Sequence, residues 1–398
     1  MRRIGVPGLV LAIVAGCGGD PILANPPLTF PSPAVTSAPT LRPPDPIPLV
    51  FPRDDGPHDR LTEWWYYTGH LRADDGRRFG FEAVIFRAER SSVPTAWASH
   101  LALTDEENNR FFYAQRSEIG PQVDRSTQDA AGEPTGFGLR IGGLNPVLVA
   151  GGAPAFAEPW RFAGGNGRDA IDARLDPAEA LAGGDLFGLD LELTDHADPV
   201  PHDGDGFVEF GPAGSSYYYS RPRMFATGTV ELNGYAFDVE GTAWFDHQWG
   251  DFVSVGGGWD WFALNLDPVF DPSDRELAPQ RDITLSIVRD AAGEPIMLYG
   301  TLVEPGMAPV PLGPDDFDVT PLATWSSPTS GRTWPSGWRV TIRGDLVVDL
   351  APTVEDQELD TRATTGVVYW EGSQRVAGTY LGAPVTGEAY VELTRYSN

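Results

Sequence analysis

The chain reads as an all-β protein built of two tandem antiparallel β-barrels, and three observations predict this. Many short runs rich in β-branched and aromatic residues are separated by turn residues at short intervals. No long stretch carries helical periodicity; Pro177–Leu181 and Thr353–Leu359 amount at most to short helical turns. The chain also repeats itself faintly. Tyr67-Thr68-Gly69-His70-Leu71, with a turn ending at Gly76, matches Ala226-Thr227-Gly228-Thr229-Val230 with its turn at Asn233-Gly234. Each then enters a strand, holding Phe79–Phe81 in one case and Phe237–Val239 in the other. Such an echo points to two similar barrels with a boundary near Ser220–Pro222.

The elements follow in order. Met1-Arg2-Arg3 is a basic start, and Leu9–Val14 is an apolar run far too short to span a bilayer, the shape of a signal peptide. It ends in Val14-Ala15-Gly16-Cys17, which resembles a bacterial lipobox, so residues 1–17 are assigned as a lipoprotein signal ending at the lipidated Cys17. Gly18-Gly19, in place of an Asp after the cysteine, fits an outer-membrane address facing the periplasm of a Gram-negative bacterium. Residues 18–50 form a Pro-rich tether, with Arg42-Pro43-Pro44-Asp45-Pro46 as its densest part. The first barrel is expected over 51–221 and the second over 222–398. Thr68–Ala73 and Arg78–Arg87 flank Asp74-Asp75-Gly76, a hairpin signal. Further strands are expected at Ala98–Thr104, Leu189–Thr194, Tyr235–Phe245, Trp261–Leu266, Ile283–Arg289 and Ala389–Thr394, among others.

Composition narrows the function. The formal charge of −28 argues against nucleic acid and anionic lipid as partners. Cys17 is the only cysteine, so no intramolecular disulfide and no multi-cysteine metal site can form. There is no Gly-x-Ser-x-Gly, Walker loop or Gly-x-Gly-x-x-Gly, and no cofactor or metal is assigned. Asp195, His196, Asp198, His202, Asp203 and Asp205 read as a solvated surface loop, since the ligand spacing of a calcium loop is missing.

Two aromatic–acid–histidine segments carry the candidate site. They are Glu63-Trp64-Trp65-Tyr66-Tyr67-Thr68-Gly69-His70-Leu71 and Trp244-Phe245-Asp246-His247-Gln248-Trp249-Gly250. Bulky rings beside ionisable groups on strands are how an apolar cavity with a few placed polar groups is written. Asp246 and His247 are the candidate catalytic pair, and Trp244, Trp249, Trp261, His100, Glu63 and Tyr218 the candidate ligand contacts. Each has a plain structural alternative. Asp246 and His247 could brace a loop, Trp64 and Trp65 could plug a barrel floor, and His100 could be a satisfied core histidine. Tyr217-Tyr218-Tyr219 could be ordinary strand composition.

These segments, with Trp97-Ala98-Ser99-His100-Leu101-Ala102-Leu103-Thr104-Asp105, Tyr217-Tyr218-Tyr219-Ser220 and Trp259-Asp260-Trp261-Phe262, resemble the AttH and carotenoid 1,2-hydratase (CrtC) family over roughly Asp54 to Thr394. The resemblance implies two lipocalin-like barrels. It also implies a greasy pocket for a polyene or terpenoid-like hydrocarbon, and membership among hydratases, polyene cyclases or lipoproteins tied to an ABC transport system. Adding water to an alkene needs a proton donor, aromatic faces for the carbocation and a positioned water. A carboxylic acid kept protonated by an apolar site could serve as that donor. In the hydratases the resemblance implies a Tyr-x-Asp pair on the following strand; after an insertion around Pro268–Gln280, Ser286 and Val288 stand in its place here. The expectation is therefore an AttH-like lipoprotein that binds an apolar small molecule, accessory to an ABC transport system. The alternative is an enzyme that hydrates, isomerises or cyclises a polyene.

Overall fold

The computed structural model describes residues 44–394 apart from 91–92, 143–145, 149–153, 157, 178, 180–183, 253–256, 272–275 and 279. Cys17, the lipobox and most of the tether lie outside the described residues. The first sheet contains β1 (Thr62–Ala73), β2 (Arg78–Arg90), β3 (Val93–Asp105), β4 (Arg110–Ile119), β5 (Phe137–Ile141), β6 (Trp160–Gly165), β7 (Arg168–Arg174), β8 (Phe187–Thr194), β9 (Gly214–Leu232) and β10 (Tyr235–Phe252). The second contains β11 (Trp259–Leu266), β12 (Arg281–Arg289), β13 (Pro295–Val303), β14 (Phe317–Ser326), β15 (Thr333–Ile342), β16 (Leu346–Pro352), β17 (Val368–Tyr380) and β18 (Ala383–Thr394). Among the described residues no α-helix forms, and Thr353–Leu359 is turn and strand.

In the first sheet the order is β4-β3-β2-β1-β10-β9-β8-β7-β6-β5, and the end strands β4 and β5 touch, so the sheet curls into a near-barrel. The second runs β13-β12-β11-β18-β17-β16-β15-β14, with Val310–Leu312 paired on the β13 edge. Every strand pair within both is antiparallel. Turn chemistry sets the hairpins. Asn233 and Gly234, at φ 52° and 85°, join β9 to β10 in the conformation that an Asn-Gly pair favours.

The boundary expected at Ser220–Pro222 falls instead inside β9, and the chain leaves the first sheet after Phe252. Pro222 lacks an amide hydrogen, and the ladder between β9 and β10 slips between Arg221 and Met224. What resembled a boundary is a bulge in one long strand. The tether is also shorter than expected. Ile47, Leu49 and Phe51 pack against the first core, and Asp45 pairs with Arg60 and accepts from the Tyr217 hydroxyl at 2.7 Å.

Each sheet encloses its own core. Trp65, Tyr67, Phe81, Phe245, His247 and Trp249 face the interior of the first. Trp334, Trp338, Trp370 and Val391 face the interior of the second. A third cluster, Tyr66, Val84, Trp244, Trp261, Ala263 and Tyr390, contains residues of both sheets and lies where their outer faces meet. Strands β1, β2 and β10 are therefore covered on both sides, which is why Thr62–Leu71 is buried almost without interruption.

Candidate active site at the seam between the sheets

Side-chain alternation sorts the two sequence motifs into two separate places. On β10, Trp244, Asp246 and Gln248 face the seam, whereas Phe245, His247 and Trp249 face the first barrel. On β1, Trp64 and Tyr66 face the seam, and Glu63, Trp65 and Tyr67 face inward. On β9, Tyr218 and Ser220 join the seam, while Tyr217 and Tyr219 do not. Register aligns Val84, Tyr66, Asp246 and Ser220 across four strands of the first sheet. Opposite, Tyr299, Ser286, Trp261, Glu392 and Glu371 form one row across five strands of the second.

Between the two rows lies a cavity of about 160 Å³. One water needs roughly 10–15 Å³ on that measure, so there is room for an organic ligand. Its walls include the rings of Trp64, Phe86, Phe252, Trp259 and Trp261. Placed among them are Asp246 and Glu82, both buried, and the half-buried Glu392.

Asp246 is held by three donors. Tyr218 donates to Oδ2 at 2.6 Å, Trp244 Nε1 donates to Oδ1 at 2.7 Å, and the Ser220 hydroxyl donates to Oδ1. Burial pushes its carboxyl up to about 6, against the pull of these hydrogen bonds. Trp261 Nε1 donates to the Tyr218 oxygen at 3.1 Å. Behind Ser220 stands His202, with Nε2 at 2.7 Å from Ser220 Oγ and Nδ1 at 2.8 Å from Thr301 Oγ1. Because the single hydrogen of Ser220 points to Asp246, His202 must carry its own on Nε2. Burial holds this imidazole neutral, down to about 3. His202 is thus not part of a solvated loop: it is fully buried, and Asp195 of the same segment is ion-paired to Arg221 at 3.0 Å.

Burial favours the protonated form of the remaining acids. Burial raises Glu82 to about 8 and Glu392 to about 7, and it drives Glu371 well up, helped by the neighbouring charges of Glu82 and Glu392. Their partners are few. Tyr369 donates to Glu82 at 2.7 Å, Tyr66 to Glu371 at 2.8 Å and Trp259 Nε1 to Glu392 at 3.0 Å. Among the described residues, one oxygen each of Glu82 and Glu371 is buried with no hydrogen-bond partner. Sequence reasoning missed all three glutamates. The available signal was a charged residue in the middle of an otherwise apolar strand, as in Phe81-Glu82-Ala83-Val84-Ile85.

Asp246, Trp244, Tyr218 and Trp261 come together at the seam. Ser286 and Val288 also line the cavity, with Tyr299 opposite Ser286 in register. His100 faces the second sheet beside Tyr369, toward the far end of the seam. His247, Glu63 and Trp249 do not reach the cavity. Glu63 bridges two imidazoles inside the first barrel, at 3.1 Å from His247 Nε2 and 2.8 Å from His58 Nδ1. His58 stacks on Trp249 with centroids 3.9 Å apart. Burial would raise Glu63, but the facing His58 and His247 bring it down to about 2. His58, Glu63 and His247 place a donor atom each within 4.8 Å of one another, a set able to hold a metal ion. The Arg87 guanidinium 3.8 Å from Glu63 competes for the same carboxylate, and the three donors already satisfy one another. The cluster reads as a brace.

A profile for AttH-like proteins matches residues 42–396. A putative AttH from Nitrosomonas europaea superposes with a TM-score of 0.67 at 29% identity, over 88% of this chain and 98% of that one. Kievitone hydratase from Nectria haematococca superposes with a TM-score of 0.60 at 17% identity, over 88% and 94%. No curated protein matches the chain.

Proposed function

The chain belongs to the AttH-like family, and from that membership we propose that it is an acid-catalysing enzyme acting on an unsaturated, apolar ligand held between its two barrels. The observation that carries the reading is the set of carboxyls placed among aromatic faces in one cavity, where burial favours their protonated form. A simple carrier of hydrocarbon has no use for them, because each buried carboxyl costs solvation. Glu82 supplies the proton to an alkene carbon. The faces of Trp64, Trp259 and Trp261 stabilise the resulting cation. Asp246, as the carboxylate, takes through Tyr218 the proton that the attacking water or the C–H bond on the other side of the ligand gives up. Glu82 and Asp246 sit two strands apart, so roughly 10 Å separates their strands and a ligand fits between them. A hydratase among the proteins of this fold supports the reaction class.

A second reading, binding without turnover, is favoured by Ser286 and Val288, which leave the cavity-lining positions of strand β12 without an acid. One experiment separates them. Purified protein is incubated in D2O with a linear polyene or a prenylated phenol, and the ligand is then weighed by mass spectrometry. The enzyme reading expects deuterium on carbon, lost in Glu82→Gln; a ligand of unchanged mass overturns it. Lipidation at Cys17, an outer-membrane position facing the periplasm and work beside an ABC transport system complete the proposal. They are supported by the lipobox Val14-Ala15-Gly16-Cys17 and by membership of the AttH-like family.

A further inference from the structure

Glu82 must regain its proton after each transfer, yet it is wholly buried. A chain of hydrogen-bonded groups leads from it to the edge of the seam, crossing between the sheets at every step. The Tyr369 hydroxyl on β17 lies 2.7 Å from Glu82 Oε1 on β2. His100 Nδ1 on β3 lies 2.7 Å from the Tyr369 oxygen. His100 Nε2 lies 3.1 Å from Thr364 Oγ1, in the turn that precedes β17. Thr364 in turn reaches Gln115 Oε1 on β4 at 2.8 Å, and both of these last residues are only half-buried. The Gln115 amide is fixed with its oxygen toward Thr364, because its Nε2 donates to the Asp360 carbonyl at 2.8 Å.

We propose that Tyr369, His100 and Thr364 form a proton path that recharges Glu82 from solvent at the edge of the seam. The proposal rests on reading Glu82 as the acid. Every link can both give and take a hydrogen. With Glu82 ionised, Tyr369 donates to it, so His100 holds its hydrogen on Nδ1 and donates that to Tyr369. His100 Nε2 is then the acceptor facing Thr364. One shift along each link protonates Glu82, moves the imidazole hydrogen from Nδ1 to Nε2, and lets Thr364 take a hydrogen from solvent. The Thr364 hydroxyl then donates to Gln115. One proton enters at the rim, one arrives at the carboxyl, and no group between gains charge. A neutral imidazole suits this role, since a charged one would trap the proton midway; burial holds His100 down to about 3.

The test needs no substrate. Infrared spectra of the folded protein in H2O, differenced against Glu82→Gln, identify the Glu82 carboxyl band, and its shift after rapid mixing into D2O times the proton exchange. His100→Leu and the half-exposed Thr364→Val are each expected to slow that exchange by about tenfold or more. Exchange at the Glu392 carboxyl, assigned with Glu392→Gln, is expected to keep its rate, which separates a lost path from loosened packing. If His100→Leu fails to fold, Thr364→Val carries the test. Unaltered exchange at Glu82 in the folded variants overturns the path while leaving the acid intact. Absence of a protonated Glu82 band in the unsubstituted protein overturns the acid and the path together.

Discussion

Asp246 and His247 are adjacent in the chain yet point into different compartments. Asp246 accepts from Tyr218 at the seam, and His247 contacts Glu63 inside the first barrel. The pair therefore cannot act together on one ligand, and substitutions at the two positions separate cleanly.

For His247→Ala the expected effect is on stability. Removing the imidazole leaves the buried Glu63 with one partner fewer and opens a hole beside Trp65 and Trp249, a loss of about 1–3 kcal/mol. Thermal melting measures the cost. Quenching of tryptophan fluorescence by a polyene, per folded molecule, is expected to stay as it was; a weaker affinity without destabilisation would return His247 to the pocket.

Turnover is expected to follow a bell in pH. Asp246 works as a carboxylate, so activity rises as pH passes about 6, and Glu82 works protonated, so activity falls beyond about 8. The rate in Glu82→Gln is expected to drop by roughly 10²–10⁴-fold. In Asp246→Asn the acidic limb disappears with the titrating group. A profile that stays flat from pH 5 to pH 9, as a rough span around the ordinary histidine range, would remove both groups from the chemistry.

Stability carries its own pH signature. Glu82 and Glu392 bind a proton more tightly folded than unfolded, so their contribution is complete below the ordinary glutamate value and fades as pH climbs to about 8 and about 7 respectively. Unfolding free energy is expected to decline across that window, at up to about 1.4 kcal/mol per pH unit for each group. Glu82→Gln cannot ionise, so denaturant midpoints measured for it at rising pH are expected to show a shallower decline. An identical slope in the variant would mean that Glu82 is already ionised in the fold.

Two changes near the N-terminus are expected to behave differently. Cys17→Ser releases the protein from membranes, and a variant that still pellets after a high-salt wash would refute the lipid anchor. A chain beginning after Pro43 melts as the longer one does. Removing residues through Pro48 as well takes away Asp45 and Ile47, with their contacts to Arg60, Tyr217 and the first core, at about 1–2 kcal/mol.

The β class was legible because strand composition and turn residues are local. Asn233-Gly234 and Asp74-Asp75-Gly76 announce their hairpins without reference to anything distant. Which face of a strand meets which partner is not local. Trp244 through Trp249 carries large or polar groups at both parities, because one face lines a barrel core and the other a second sheet. Asp246, Trp244, Tyr218 and Trp261 were found by their company in the sequence. Glu371 and Glu392 face each other across the β17–β18 hairpin, and Glu82, distant in the chain, joins them only because β2 packs against β17 at the seam. Pro222 misled for a related reason: a missing amide signals an interrupted ladder, and only the pairing partner tells a bulge from a boundary.

Neither barrel alone could supply all the walls of the cavity. A molecule lodged there is bound by both folded halves at once and by neither in isolation. Its binding free energy therefore enters the coupling between them, and occupancy makes two separately cored bodies unfold more nearly as one.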